Sequence, residues 1–124
     1  MTKISFNIYH NPRCSKSRKA LEYLNFKTKD YKIIKNLEDG IDIIELKSIL
    51  SLNKISEDEI IRTNEGLYKE LKLTKKDLSK DAIINYTYKF PILLQRPIIC
   101  KYQNNKLVQS VIGRPPETVL SLFD

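Results

Sequence analysis

The segment His10-Asn11-Pro12-Arg13-Cys14-Ser15-Lys16-Ser17-Arg18 places a cysteine at the joint between an apparent strand and an apparent helix. A helix N-terminus presents unpaired backbone N–H groups and the positive end of the helix dipole. A thiol held there shifts toward thiolate, and an anion can settle on the same N–H groups. Arg13, Lys16 and Arg18 add positive charge beside it. One short loop thus supplies a nucleophile and an oxyanion cradle, a combination that points to thiol or redox chemistry on an oxyanion. The competing role for Cys14, a small buried hydrophobe, is common for cysteine. Polar and basic neighbours on both sides argue against it.

Ser17 stands where a Cys-x-x-Cys oxidoreductase has its resolving cysteine. Without a second thiol the loop cannot close its own disulfide, so a mixed disulfide on Cys14 needs an external thiol such as glutathione or a glutaredoxin to release it. Ser17 is free to hydrogen-bond the thiolate, to cap the helix or to face solvent. His10, the only histidine, either polarises Cys14 or ends the strand. Asn11 is expected to brace the loop through side-chain-to-backbone bonds. The chain has 17 lysines and five arginines, and arginine in a lysine-rich chain suggests that a planar, bidentate fork is wanted. Arg62, Arg96 and Arg114 could bind a tetrahedral oxyanion together, but only convergence in space would make them a site. Pro97 opens a strand after Arg96, where both cis and trans peptide bonds are admissible. Cys100 lies in an apolar run and reads as core.

These residues need elements to hold them. Ile4, Phe6 and Ile8 alternate with Ser5, Asn7 and Tyr9, predicting a strand at about 3–9. Ala20, Leu21 and Leu24 mark a helix at about 15–25, with Ser15 as its cap. A second strand follows at 30–34, and strand–helix–strand implies a right-handed parallel pairing. Ile41, Ile44, Leu46, Ile49 and Leu50 predict a helix at about 41–52. Ser56-Glu57-Asp58-Glu59 reads as a cap with an acidic first turn. Leu67, Leu71 and Leu73 continue in short pieces, and a helix spans about 81–89 with Ala82, Ile83 and Tyr86 inward. Strands at 96–102 and 106–111 flank the turn signal Asn104-Asn105. Gly113-Arg114-Pro115-Pro116-Glu117 opens a final helix carrying Val119, Leu120 and Phe123. The order βαβ, helical insert, ββα fits an α/β, thioredoxin-like four-stranded mixed sheet. The insertion covers about 39–90 of a single domain spanning 1–124.

That size suits one domain, and no run approaches the ~18–20 apolar residues of a membrane span. The first residues lack a signal-peptide core. Two cysteines make no disulfide framework, so a reducing cytoplasm is the expected setting. The formal net charge of +7 comes from lysines scattered along the chain. A nucleic-acid surface would want them on one face among aromatics, so neither nucleic acid nor membrane is an expected partner.

The chain resembles the glutaredoxin-dependent arsenate reductases of the ArsC family, and more closely their YfgD-like branch. The likeness runs through Tyr9 to Arg18, through Ile61-Arg62 with Leu67-Tyr68-Lys69-Glu70-Leu71, through Pro91-Ile92-Leu93 with Arg96-Pro97-Ile98, and through Gly113-Arg114-Pro115-Pro116-Glu117. The resemblance implies a thioredoxin fold with a cis proline at Pro97. It implies that Cys14 attacks arsenate to form an arsenic–sulfur adduct, with His10 beside it and Arg62, Arg96 and Arg114 holding the oxyanion. Glutathione is the implied co-substrate, with no metal or bound organic cofactor, and glutaredoxin clears the resulting mixed disulfide. Two departures, an end soon after the last helix and Arg13 before the cysteine, fit the YfgD-like branch. Two alternative readings are a related glutathione-dependent oxidoreductase not acting on arsenate, and an Spx-like regulator that binds RNA polymerase. Ser17 argues against the latter, because Spx-like proteins typically carry a redox Cys-x-x-Cys.

Overall fold

The computed structural model describes residues 2–52, 55–74 and 78–123; both ends of the expected domain and two short stretches of its insertion lie outside them. Four strands, β1 (Ile4–His10), β2 (Tyr31–Lys35), β3 (Ile98–Gln103) and β4 (Lys106–Ile112), form one sheet in the order β2-β1-β3-β4. β1 runs parallel to β2 and antiparallel to β3, and β3 runs antiparallel to β4. This is the expected mixed sheet. The parallel pair is joined by α1 (Ser15–Lys27). The β3–β4 hairpin turns on Asn104 and Asn105, both at positive φ, as a two-residue turn with primed geometry requires.

Both faces of the sheet are covered, and this sorts the side chains. Phe6, Ile8 and Ile99 pack on one face with Ala20 and Leu24 of α1 and with Val119 and Leu122. The other face carries the insertion: α2 (Asn36–Asp39), α3 (Ile43–Ser51), α4 (Glu57–Ile60), α5 (Gly66–Glu70) and α6 (Lys80–Lys89). There Tyr9, Ile98 and Cys100 meet Leu46, Ile49, Leu50, Ile60, Ile83 and Leu93. Tyr9, expected among the outward polar positions of β1, is therefore buried, and its hydroxyl donates to the Glu45 carboxylate. Cys100 is core, as expected, and burial together with the nearby Glu45 pushes its thiol well up.

Several local expectations change. α3 starts after an Asp42 cap whose carboxylate accepts the Ile44 and Glu45 N–H groups. In this phase Ile44 lies about 160° around the helix from Leu46, so it is 72% exposed rather than inward. α4 carries the capping box read from Ser56 and Glu59. α6 begins at Lys80, capped by Ser79, and buries Ile83, Ile84 and Thr87, leaving Ala82 and Tyr86 half-buried. The final segment, Pro116–Phe123, is a 3-10 helix rather than an α-helix. With three residues per turn, Val119 and Leu122 share the buried face and Leu120 falls beside it. Among the described residues no helix is long and apolar enough to cross a membrane.

Candidate active site

Cys14 itself, not Ser15, caps α1. Its backbone is extended (φ −91°, ψ 120°), its carbonyl accepts the Arg18 N–H at 3.0 Å, and its N–H donates to the Asn11 carbonyl at 3.0 Å. Ser15 becomes the first helical residue and is exposed. A capping oxygen normally accepts the N–H groups of the second and third helical residues. Here those belong to Lys16 and Ser17; the Cys14 sulfur makes no capping hydrogen bond to them, but both N–H groups favour its thiolate. Burial pushes the thiol up, but the Ser17 N–H, the Arg114 charge, the Lys16 N–H and the Arg96 charge outweigh it, so its pKa falls below the ordinary value.

The loop is braced from within. The Asn11 side-chain oxygen accepts the Arg13 N–H at 3.0 Å, the bracing expected of it, and Arg18 donates to the Pro12 carbonyl at 2.8 Å. Ser17 is fully buried, and none of the roles left open by sequence describes its hydroxyl. That hydroxyl accepts the Asn11 N–H at 3.1 Å and bonds His10 Nδ1 at 2.8 Å. It is the Ser17 backbone that serves the thiolate. His10 ends β1 beneath the loop, with Ser17 as its hydrogen-bond partner rather than Cys14. Burial, then the charges of Lys35 and Arg18, lower its pKa, so the ring is neutral near neutrality.

The three distant arginines converge. Arg62, Arg96 and Arg114 line one cleft of about 470 Å³ with Cys14, Asn11, Arg13 and Lys16. Arg62 arrives between α4 and α5, where its N–H donates to the Leu93 carbonyl at 2.7 Å beside the Ile61–Leu94 bridge. Arg96 precedes Pro97 through a cis bond, and Arg114 precedes Pro115 through another. Arg114 Nε donates to the Arg96 carbonyl at 2.7 Å, which aims its Nη2 at Cys14 Sγ, 3.5 Å away. Nε and Nη1 of both Arg62 and Arg96 are buried and have no hydrogen-bond partner among the described residues. Burial, then the neighbouring Arg96 charge, lowers the Arg62 pKa, against the opposing charges of Glu65, 3.6 Å away, and Cys14. Buried guanidinium donors left open around a thiolate are suited to a tetrahedral oxyanion, which can accept several forks at once.

Two supporting residues, Glu65 and Gln95, were not singled out from sequence, and a third, Gly113, was read only as part of the motif that opens the final helix. Glu65 lies three residues after Arg62, a spacing that could have flagged an ion pair. Gln95 Oε1 accepts the Arg96 N–H at 3.2 Å. Gly113 donates its N–H to the Pro97 carbonyl at 2.9 Å and lies against the proline ring; no pattern signals that approach.

A family model described as the ArsC family matches residues 9–122. The Escherichia coli K12 protein YfgD, itself described as uncharacterized, is 42% identical over 98% of this chain and 98% of its own length. An arsenate reductase of Neisseria meningitidis is 39% identical over 90% of this chain and 92% of that protein. The solved structure of an arsenate reductase from Vibrio cholerae is also similar. It superposes with a TM-score of 0.80 at 39% identity and covers 95% of this chain and 97% of that one.

Proposed function

The chain belongs to the ArsC family, and from that premise we propose that it is an arsenate reductase with Cys14 as nucleophile. The observation that carries this reading is the depressed Cys14 thiol in one cleft with three arginines, two of which, Arg62 and Arg96, carry buried donors that have no partner among the described residues. Arsenate takes those donors, and the guanidinium charges offset its own. The Cys14 thiolate attacks arsenic, forming an S–As bond. One As–O bond breaks, and its oxygen leaves as water on protons from the anion's hydroxyl and from solvent. The arginines then face the charge that develops on the remaining oxygens, an electrostatic role that a preorganised site performs without reorganisation.

Reduction requires a second thiol, and the Cys14 loop has none, since Ser17 stands where a resolving cysteine would be. Glutathione supplies it as co-substrate, with no bound metal or organic cofactor. Its thiolate attacks Cys14 Sγ, and the S–As electron pair stays with arsenic. Arsenic passes from the pentavalent to the trivalent state and leaves as arsenite, while the two sulfurs are oxidised to a mixed disulfide. A glutaredoxin thiol removes the glutathione and returns Cys14 to the thiolate. His10 and Ser17 act as positioning residues that hold the loop from below. A reducing cytoplasm is the compartment that supplies both thiols.

A coupled assay with arsenate, glutathione, glutaredoxin, glutathione reductase and NADPH tests this. Cys14→Ser should reduce arsenate-dependent NADPH oxidation to background. A rate that survives the substitution removes Cys14 from the mechanism.

A further inference from the structure

A second, larger groove of about 660 Å³ adjoins the Cys14 cleft, and Arg62 and Arg114 line both. Residues 109–112 of β4 all touch this groove. Successive side chains in a strand point to opposite faces, so a groove that meets four in a row runs along the strand's edge. β4 is the outer strand of the sheet, and an outer strand offers backbone N–H and C=O groups to an extended ligand. Ser110 lines the groove while only 1% exposed, and its hydroxyl has no hydrogen-bond partner among the described residues. Such a group is costly to leave unsatisfied. Asp58 and Glu59 of α4 give the groove two carboxylates. Glu59 is engaged in the α4 cap, whereas Asp58 is exposed and has no ion pair among the described residues.

These features describe a small, extended, amide-bearing ligand with a cationic group for Asp58, ending at the arginines that face Cys14. The groove's size falls in the roughly 300–1,000 Å³ range of small-molecule sites. Resting on the function proposed above, which needs a thiol brought to Cys14 from outside, we propose that this groove seats the reducing co-substrate. The occupant is a short peptide thiol with a free amino group. It lies along β4 with its ammonium at Asp58, an amide on Ser110 Oγ, and its thiol passing Arg62 and Arg114 to Cys14 Sγ. The step it serves is the one already balanced, in which an S–S bond forms as the S–As bond breaks.

The test separates the seat from the reaction. S-Methylglutathione, which cannot react, is titrated into ¹⁵N-labelled protein. The amides of residues 109–112 should shift saturably, and Asp58→Lys should weaken binding about fivefold, as expected for loss of one exposed ion pair. In the coupled assay the same variant should raise the glutathione KM by that factor and leave the arsenate KM unchanged. The parent should favour glutathione over its N-acetyl derivative, and Asp58→Lys should lose that preference. Ser110→Ala should weaken S-methylglutathione binding without lowering the Tm of the free protein, because it removes a hydroxyl that the fold leaves unpaired. A serine with a merely structural role would lose stability instead. Intact arsenate turnover with no shifts at 109–112, or an Asp58→Lys effect that falls equally on both KM values, overturns the seat. Intact shifts without arsenate turnover uphold the seat and sink the proposed reaction. A glutaredoxin that shifts 109–112 where S-methylglutathione does not would assign the groove to a protein partner and overturn the proposal.

Discussion

Replacing Gly113 by alanine puts a methyl group where the fold has no room for one. The added Cβ would lie 2.8 Å from Pro97 Cγ, 3.1 Å from Ala20 Cβ and 3.2 Å from Ile99 Cδ1. The glycine's φ lies outside the left-handed region, so the cost is steric rather than conformational. Only the Ile99 δ-methyl ends a rotatable side chain, and core packing holds it. Pro97 is a closed ring, and Ala20 and Ile99 belong to the core between α1 and the sheet. Overpacking of this kind costs about 1–3 kcal/mol. Alanine returns about 0.4–1 kcal/mol by restricting the unfolded chain. The net loss should be about 1–2 kcal/mol, a fall in Tm of about 4–8 °C for a chain of this length. The site should suffer more than the fold. Pro97 follows Arg96, whose carbonyl holds Arg114 Nε, so displacing the ring moves two of the three oxyanion donors. A 1 Å misplacement at a reacting centre can cost ~10²-fold, and kcat/KM for arsenate should fall by at least about tenfold. Thermal melts by circular dichroism and the coupled assay read the two effects separately. A variant that melts within a degree of the parent and keeps its kcat/KM would refute the tight contact and its link to the arginines.

Alkylation of Cys14 by iodoacetamide should level off at a lower pH than for an ordinary thiol, because the group is depressed in the fold, and Arg114→Gln should move the midpoint upward. A profile that tracks free cysteine in both proteins would contradict the site's electrostatics. Arg96→Lys keeps the charge but loses the planar fork, so the arsenate KM should rise clearly while the fold holds; an unchanged KM would end the bidentate argument. Ser17→Ala leaves His10 Nδ1 and the Asn11 N–H without their shared partner. It should cost about 1–3 kcal/mol in urea unfolding. Its alkylation midpoint should scarcely move, because the Ser17 backbone N–H faces the thiolate; a large shift would mean that the hydroxyl is involved after all.

Local chemistry made much of this protein legible in its sequence. The loop around Cys14 announces a helix N-terminus, since proline, small polar residues and cations there act over a few bonds. The β3–β4 hairpin follows from Asn104-Asn105, and the α4 cap from Ser56 and Glu59, for the same reason. Alternation found β1 but misplaced Tyr9, because a period of two cannot say whether the second face of a sheet is covered. Ile44 was misplaced because the helix phase depends on where Asp42 starts it. What only the tertiary structure decided is the site as an object. Arg62, Arg96 and Arg114 lie far apart along the chain, and their meeting around one sulfur depends on the sheet order, the Leu93 carbonyl that takes the Arg62 N–H, and the Arg96 carbonyl that aims Arg114. Ser17 likewise keeps several roles open, from thiolate donor to helix cap to solvated serine, until the fold sets His10 against it. Sequence fixes what a residue can do within its own turn; long-range packing, which closes only when the whole chain has folded, fixes which residues act together.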